Sequence, residues 1–321
     1  MALRVEDRDA VALWTTAPGV GALQAEELPE PQPGEALVET LWTGVSRGTE
    51  TIVARGEVPD GEKDRMRAPF QAGDFPFPVK YGYLAVGESA GRMVFALHPH
   101  QSRFVVPETA LVPVPAGVPA RRAVLAGAVE TAVNVLWDAR PLVGDRIAIV
   151  GAGMIGGAIA AVARRIPGVS VTLVDVDDGK RAVADALGVR FGDSADPDIV
   201  IEASGQAAGL QQALRLAPDD GEVVVASWYG SRAVPVELGG DFHSRRLTIR
   251  SSQVGVVAVA RRARTTTRER LTLALRLLED TDFDALLGGT TPWMQAPDVV
   301  AALAAGTADD LCHTIDWSDP T

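Results

Sequence analysis

Three glycines stand where an apolar run meets a stretch of small residues, and their spacing is suited to binding a dinucleotide. Residues 147–150 read Ile-Ala-Ile-Val, and the chain continues as Gly151-Ala-Gly153-Met-Ile-Gly156. The first glycine permits a tight turn, the second lets the backbone approach a pyrophosphate, and the third allows close packing of the following helix. The N–H groups that begin this helix face the phosphate charge. The predicted cofactor contacts here are Gly151, Gly153, Met154, Ile155 and Gly156.

An acidic residue after the next apolar run predicts which dinucleotide is bound. Residues 169–174 lead into Asp175, about twenty residues after the glycines, where a carboxylate accepts hydrogen bonds from a ribose diol. Its negative charge repels a 2′-phosphate, so we predict NAD(H) rather than NADP(H) as the cofactor. Lys180, Ser204 and Gly205 complete the predicted cofactor site. The alternative interpretation is a glycine turn in a βαβ unit that binds no ligand.

Length, composition and charge narrow the class of protein. The 321 residues are enough for two domains, with 47% hydrophobic residues and a single cysteine, Cys312. One cysteine excludes an intramolecular disulfide and a four-cysteine zinc lobe, and it fits a reducing cytoplasm. A net charge of −12 makes nucleic acid an unfavourable partner, and no apolar run is long enough to span a membrane. We therefore expect a cytoplasmic protein with a small-molecule substrate.

One local stretch is basic despite the negative net charge. Five arginines precede or begin the helical pattern at residues 271–280: Arg261, Arg262, Arg264, Arg268 and Arg270. Charged residues in such a run usually lie on the solvated face of a helix. We expect these arginines to be exposed.

The order of the predicted elements indicates an α/β protein with two domains. Residues 1–118 contain short β-runs broken by Pro and Gly, and a proline-rich extended segment, 112–119, precedes a helical pattern at 120–138. From residue 146 strands and helices alternate, which is typical of a doubly wound parallel sheet. The strands are expected at 147–150, 169–175, 198–203 and 222–228, and the helices at 157–166, 179–187 and 207–216.

The end of the chain is expected to return to the first domain. A short helix is predicted at 297–305 and a final strand near 311–316. The predicted β-rich domain therefore comprises residues 1–119 and 291–321, and the predicted dinucleotide-binding domain comprises residues 120–290.

Four segments resemble motifs of the medium-chain dehydrogenase/reductase superfamily: 44–50, 81–87, 144–147 and 198–205. The resemblance covers almost the full chain and implies a GroES-like β-rich catalytic domain with a Rossmann domain. It further implies NAD(P)-dependent interconversion of alcohols and carbonyls, and a homodimer joined through the strand at 247–251. Within the superfamily, residues 46–50 and 77–83 are similar to the branch around bacteriochlorophyllide dehydrogenase.

The chain departs from the superfamily's pattern at the metal site. Zinc-dependent members hold the metal with Cys, His and a third Cys or Glu, and the matching positions here carry Ser46, Tyr83 and Ala128. A hydroxyl and a phenol are poor ligands for divalent zinc, and a methyl group is none. Glu130 lies two residues from the third position, but one carboxylate does not replace three ligands. The resemblance therefore implies a zinc-independent member.

Without a metal, the charge that develops on a carbonyl oxygen during hydride transfer needs a proton donor. The resemblance places Tyr83 where the histidine is missing, so it is either this donor or a core tyrosine. Ser46 and Thr49 form a hydroxyl relay or stabilise a local turn. Glu130 is a general base, a substrate anchor or part of a structural ion pair.

Three further predictions concern groups around these residues. Glu50 is expected to anchor its loop to an arginine. His98 and His100 either transfer protons, in case Tyr83 and Glu130 do not, or have a structural role. The loop at 66–77 carries Arg67 and Phe70, which suit a flat, polar, pterin-like ring substrate.

The leading interpretation is an NAD(H)-dependent, zinc-independent alcohol dehydrogenase or carbonyl reductase. An enoyl or quinone reductase of the same fold, and a dinucleotide-binding protein without catalysis, remain the alternatives.

The absence of zinc ligands from the sequence generates a direct test. We expect the active protein, purified without chelators, to contain no stoichiometric zinc, because a hydroxyl, a phenol and a methyl group do not bind it. Elemental analysis checks this. A stoichiometric metal whose removal abolishes activity would show that the positions of Ser46, Tyr83 and Ala128 are wrongly matched.

Overall fold

The computed structural model describes residues 9–318. The chain folds into two compact units. Unit 1 comprises Met1–Gly127 and Leu287–Thr321, and unit 2 comprises Ala128–Leu286. The boundaries predicted from the sequence lie at 119/120 and 290/291. The second domain predicted from the sequence is therefore eight residues longer than unit 2 at its beginning and four residues longer at its end.

The strands of the described residues follow one another along the chain in this order: β1 Asp9–Ala17, β2 Val20–Glu27, β3 Glu35–Val45, β4 Ala72–Gly73, β5 Val79–Lys80, β6 Ala85–Ser89, β7 Arg92–Ala96, β8 Arg103–Pro107, β9 Val112–Pro113, β10 Arg146–Val150, β11 Ser170–Val174, β12 Arg190–Phe191, β13 Ile199–Glu202, β14 Glu222–Val225, β15 Thr248–Ser251, β16 Leu287–Pro292 and β17 Cys312–Asp316.

The α-helices are α1 Arg47–Arg55, α2 Ala120–Ala123, α3 Ala126–Ala139, α4 Met154–Ala163, α5 Arg181–Ala186, α6 Ala207–Leu216, α7 Asp241–Ser244, α8 Thr267–Leu277 and α9 Ala296–Ala305. Short 3₁₀ helices lie at Asp60–Glu62, Glu108–Ala110, Asp178–Lys180, Thr281–Leu286 and Trp293–Gln295. No helix within residues 9–318 is long and apolar enough to cross a membrane.

Unit 1 is built from two sheets, a four-stranded one in the order β2-β1-β5-β4 and a seven-stranded one. The larger sheet has the order β16-β17-β3-β6-β7-β9, and β8 pairs with β3. The returning strand β17 runs antiparallel to β3, with Ile315 opposite Thr43. Leu13, Val45, Val300, Ile315 and Trp317 share one buried cluster. Through this cluster, α9 and β17 pack against β1 and β3 within unit 1.

Unit 2 contains a six-stranded sheet in the order β12-β11-β10-β13-β14-β15, and every neighbouring pair is parallel. This order confirms the predicted doubly wound sheet. The chain reverses its direction of winding between β10 and β13, and ligands of such sheets bind outside the carboxyl ends of the strands at this switch point.

Apolar residues on β10, β13 and β14 explain why this sheet forms at the centre of unit 2. These three central strands are nearly continuous apolar runs, as is typical of parallel strands that are covered on both faces. On one face, Val150, Val200 and Val223 pack with Leu210 and Leu214 of α6. Burying each such side chain stabilises the fold by about 1.5–3 kcal/mol.

Two of the predicted helices differ from the observed ones by more than one or two residues at an end. The pattern at 120–138 forms α2 and α3, with Val124 and Leu125 between them, rather than one continuous helix. The helix predicted at 157–166 begins earlier, at Met154, because Gly153 already serves as its N-cap. The first turn of α4 therefore lies within the glycine motif itself.

Candidate functional site

The glycine-rich turn after β10 has the geometry of a pyrophosphate cradle. Gly151 has φ +105°, and a Cβ there would lie 2.6 Å from the backbone nitrogen of Ser204. A Cβ on Gly156 would lie 1.8 Å from the carbonyl oxygen of Gly151. A Cβ on Gly153 meets nothing within 4 Å. Two glycines thus permit tight packing, while the third borders open space beside the first turn of α4, whose N–H groups are available to an anion.

Asp175, which follows β11, lies beside this turn. Its half-buried carboxylate accepts hydrogen bonds from the N–H groups of Ala152 at 2.7 Å and Asp177 at 3.0 Å. Each carboxylate oxygen keeps a further lone pair for a ribose hydroxyl. Lys180 lies nearby, with its Nζ 4.0 Å from the carboxylate of Asp177. The residues present therefore fit the phosphate and ribose of a dinucleotide.

Ser204 and Gly205 are held by a buried carboxylate that the sequence analysis missed. One oxygen of Glu202 accepts hydrogen bonds from the Ser204 N–H, the Ser204 hydroxyl and the Gly205 N–H, at 2.7, 2.5 and 3.1 Å. Its other oxygen accepts the hydroxyl proton of Tyr229 at 2.8 Å. Burial and the Glu202 charge raise the pKa of Tyr229, so this phenol stays protonated. Ser204 and Gly205 therefore shape the turn after β13, and their polar groups are already engaged.

In unit 1 the structure brings together Tyr83, Ser46 and Thr49. The hydroxyls of Ser46 and Thr49 form hydrogen bonds with the Tyr83 phenol. Burial raises the pKa of Tyr83 to about 12, although these two hydrogen bonds lower it. Ser46 is the N-cap of α1, yet its hydroxyl makes no capping bond. The Ser46 hydroxyl thus interacts with the phenol, not with the first turn of the helix.

Glu50 is bound by a histidine and not by the arginine that we expected. Its Oε1 accepts the Ser46 N–H at 2.7 Å, and its Oε2 lies 2.9 Å from His100 Nε2. His100 Nδ1 lies 2.8 Å from the Thr43 hydroxyl, which also accepts the Trp317 indole N–H at 2.9 Å. The prediction for Glu50 was wrong because His100 is 50 residues away in the sequence and reaches it only through the fold. This buried chain of groups fixes the loop that carries Ser46.

The other histidine of the pair is enclosed by aromatic rings. The His98 ring stacks on Phe104 with 3.7 Å between centroids and on Phe70 with 5.7 Å. Burial lowers the pKa of His98 to about 3, against the opposing effect of a hydrogen bond with the Pro99 carbonyl. A histidine that stays neutral at physiological pH is a poor proton shuttle. We therefore assign His98 a packing role.

Glu130 forms a buried ion pair in unit 2. Its carboxylate accepts a hydrogen bond from Arg270 Nε at 3.0 Å, and Arg270 is only 1% exposed. Burial raises the pKa of Glu130, and the Arg270 charge counteracts that shift. The expectation of a solvated arginine is wrong for Arg270, because the carboxylate that its guanidinium binds lies on α3. Of the three roles that the sequence left open for Glu130, the structural ion pair is the one that these contacts support.

The three residues that the resemblance matches to the zinc ligands are poor donors for a zinc ion. Ser46 offers a hydroxyl and Tyr83 a phenol of raised pKa, while Ala128 offers no ligand atom. Among residues 9–318, no group of three or more His, Cys, Asp or Glu side chains is placed to hold a metal. Burial raises the pKa of the Cys312 thiol to about 12, so the free thiol is protonated.

A pocket of about 300 Å³ in unit 1 contains a further histidine to which the sequence assigned no role. His313 lies 2.6 Å from the Asp310 carboxylate through Nδ1 and 2.7 Å from the Thr291 hydroxyl through Nε2. Arg47 lines the same pocket and donates to the carbonyl oxygen of Ala308. No spacing in the sequence connects these residues, since the pairing of β16 with β17 brings Thr291 and His313 together.

Comparisons with known proteins agree with this geometry. No family model matches the chain. The 2-dehydro-3-deoxy-L-galactonate 5-dehydrogenase of Pseudoalteromonas atlantica is 29% identical over 153 residues, which cover 43% of this chain and 44% of that protein. The matching region is thus less than half of the length of that curated relative.

Two solved structures match nearly the whole chain. The short-chain alcohol dehydrogenase RspB of Escherichia coli CFT073, complexed with NADH, has a TM-score of 0.75 at 16% identity and covers 96% of this chain and 99% of its own. A candidate zinc-binding dehydrogenase of Sinorhizobium meliloti 1021, bound to NADP, has a TM-score of 0.75 at 18% identity, with coverages of 96% and 99%. At these identities the likeness shows the fold.

The fold is that of the dehydrogenases of alcohol-dehydrogenase type, with β-rich sheets and a parallel sheet. The sequence relative and both structural neighbours are dehydrogenases. RspB is complexed with NADH, and the Sinorhizobium meliloti protein is bound to NADP.

The contrast between Gly153 and Gly156 predicts two different defects. Gly153→Ala places a methyl group in open space, so we expect an unchanged Tm and an NADH Kd at least about tenfold higher, because the methyl group blocks the phosphate. Gly156→Ala collides with backbone and should lower the free energy of unfolding by about 1–3 kcal/mol. Thermal unfolding and NADH titration measure both. Equal NADH affinity in wild type and Gly153→Ala would contradict the cradle.

Cofactor choice is tested at Asp175. Asp175→Ser removes the charge that repels a 2′-phosphate, so the ratio of the NADPH Kd to the NADH Kd should fall about tenfold or more. Asp178→Ser, an exposed acidic residue in the same segment, is the matched control and should leave the ratio unchanged. Tighter binding of NADPH than NADH by the wild type would overturn the prediction of NAD(H).

Proposed function

We propose that this protein is an NAD(H)-dependent, zinc-independent oxidoreductase that interconverts an alcohol and a carbonyl on a small metabolite. The observation that carries the proposal is the cradle at the switch point of the parallel sheet. There Gly151 and Gly156 permit a tight turn, Gly153 borders open space, and Asp175 is hydrogen-bonded to the same turn. When bound, the cofactor supplies or accepts the hydride.

Tyr83 is the proton donor in this proposal. Reduction of a carbonyl carbon leaves charge on its oxygen, which a positioned O–H group neutralises. A phenol with a pKa near 12 is protonated at neutral pH and so has a proton to give. The Ser46 and Thr49 hydroxyls then stabilise the phenolate, since their hydrogen bonds act in the direction that lowers its pKa.

The fixed loop beneath Tyr83 supports this role. Glu50 binds the Ser46 backbone, and His100 holds Glu50 in turn, so the Ser46 hydroxyl keeps a constant position next to the phenol. Gly82, with φ +121°, permits His100 to pack closely, because a Cβ there would lie 2.8 Å from the imidazole ring. The ordering of these groups before the reaction reduces the reorganisation that proton transfer requires.

A flat ring is the substrate shape that the loop at 66–77 favours. Arg67 donates to the Asp74 carboxylate at 2.7 Å and to the carbonyl oxygens of Gln71 and Gly73, which orders the loop. Phe70 remains 41% exposed at its tip and stacks over His98 on one side. An exposed aromatic ring on an ordered loop is suited to stacking on a pterin-like metabolite.

We further propose a cytoplasmic homodimer. β15 is an edge strand of the parallel sheet, and Ile249 on it is 36% exposed. Pairing of this edge with the same strand of a second copy would satisfy its free backbone groups and cover the apolar side chain.

Tyr83→Phe tests the proton donor. The variant keeps the ring but loses the hydroxyl, so kcat for reduction of a ketone or aldehyde should fall about 10²- to 10⁴-fold while the NADH Kd is unchanged. Tyr81→Phe is the matched control, because Tyr81 is a buried tyrosine in edge-to-face contact with Tyr83, 6.0 Å between centroids. Wild-type turnover in Tyr83→Phe would sink the assignment. Reduction of enones but not of ketones by the wild type would point instead to an alkene reductase.

A further inference from the structure

A network of buried polar groups holds residues 252–258, which follow β15 and are called the β15 loop below. Arg270 on α8 donates to the carbonyl oxygen of Val254, and more weakly to that of Val256 at 3.5 Å. The same guanidinium donates to Asn134 Oδ1 at 2.5 Å and to Glu130 at 3.0 Å. One buried side chain thus connects two carbonyl groups of the β15 loop to two residues of α3.

Asn134 and Asp138 hold both ends of the β15 loop. Asn134 Oδ1 accepts the Ala258 N–H at 2.9 Å, and its Nδ2 donates to the Ser252 hydroxyl at 3.4 Å and the Gln253 carbonyl at 3.5 Å. The Ser252 hydroxyl in turn donates to the Asp138 carboxylate at 2.7 Å. The loop is therefore fixed by side chains from its first residue to its last, although it has no regular secondary structure.

The position of the β15 loop in the sheet indicates the role of this network. It lies at the carboxyl end of β15, on the same edge of the sheet as the glycine turn after β10 and Asp175 after β11. A doubly wound sheet has two mononucleotide-binding halves, and β13, β14 and β15 form the second. The first half carries the predicted contacts to the adenosine ribose and the pyrophosphate. The β15 loop therefore belongs to the half that takes the nicotinamide mononucleotide.

Stability alone is a weak reason for a buried Glu130–Arg270 pair. Taking two charges out of water costs more than their attraction returns in many proteins, and apolar replacements are often neutral or stabilising. The guanidinium does something that an apolar side chain cannot: its several N–H donors bind two loop carbonyls, an amide and a carboxylate together. The pair therefore specifies a geometry.

We infer that Arg270 is a positioning residue for the cofactor: with Glu130 and Asn134 it fixes the β15 loop against which the nicotinamide mononucleotide half binds. This inference rests on the proposed function, because it needs a nicotinamide dinucleotide at the sheet edge. The network uses the inner side of the loop. Its outer side, with Gln253, Gly255 and Val256 exposed, remains available to a ligand.

The test compares two ligands that differ only in the nicotinamide ring and its attachment. ADP-ribose has the adenosine, the pyrophosphate and the second ribose of NADH and lacks only the nicotinamide ring, which in this inference is the group that lies against the β15 loop. Arg270→Met alone leaves a buried, unpaired carboxylate, so the variant to use is Glu130→Gln/Arg270→Met, which leaves no unpaired charge. We expect the NADH Kd of this variant to rise about tenfold, because the β15 loop is no longer held in position to bind the nicotinamide. Its ADP-ribose Kd should stay within about twofold of wild type.

Arg276→Met supplies the matched control, because Arg276 lies exposed on α8 and the same substitution there should change neither Kd. Unchanged NADH affinity in the double variant, with both ligands bound by the wild type, would overturn the positioning role. An equal loss of affinity for NADH and ADP-ribose would overturn it as well, since it would indicate general damage to unit 2. A wild type that binds neither ligand would refute the proposed function itself.

Discussion

The close approach of backbone at the switch point between β10 and β13 is the constraint on which the proposed nucleotide-binding edge depends. Gly151 lies against the backbone of Ser204, and Gly156 lies against the carbonyl group of Gly151. No side chain fits at either position. The turns after β10 and β13 therefore approach each other backbone to backbone, and α4 begins at Met154, two residues before Gly156.

Carboxylates at strand ends stabilise these turns. Asp175 follows β11 and binds the N–H of Ala152 in the glycine turn, while Glu202 ends β13 and binds Ser204 and Gly205. Backbone N–H groups that have no partner in a helix or a sheet are thus satisfied by acidic side chains, as buried polar groups must be. In unit 1, Glu50 does the same for the N–H of Ser46. The hydroxyls of Ser46, Thr49 and Tyr83 do not serve this purpose, and they are the groups to which we assign proton transfer.

Local patterns in the sequence were sufficient for much of the fold. The glycine spacing predicted the turn after β10, and the helix predicted at 207–216 has the bounds of α6, because each depends on neighbours close in the chain. Partnerships across the chain could not be predicted this way. Arg270 belongs to a basic run, and the arginines of such runs usually lie in solvent. It is instead paired with Glu130, which lies 140 residues earlier in the chain. Glu202 gave no signal beyond an acidic residue at the end of an apolar strand, and His100 meets Glu50 of α1 only through the fold, since the two are 50 residues apart in the sequence.

The central claim is that a phenol in unit 1, and not a metal, meets the oxygen of the substrate during hydride transfer. A crystal structure of the protein with NADH and a bound alcohol or carbonyl ligand tests it most directly. We expect the Tyr83 hydroxyl within hydrogen-bonding distance of the ligand oxygen, about 2.6–3.2 Å, with that oxygen beside nicotinamide C4. A zinc ion bound to the ligand oxygen, or another side chain in the place of Tyr83, would contradict the account.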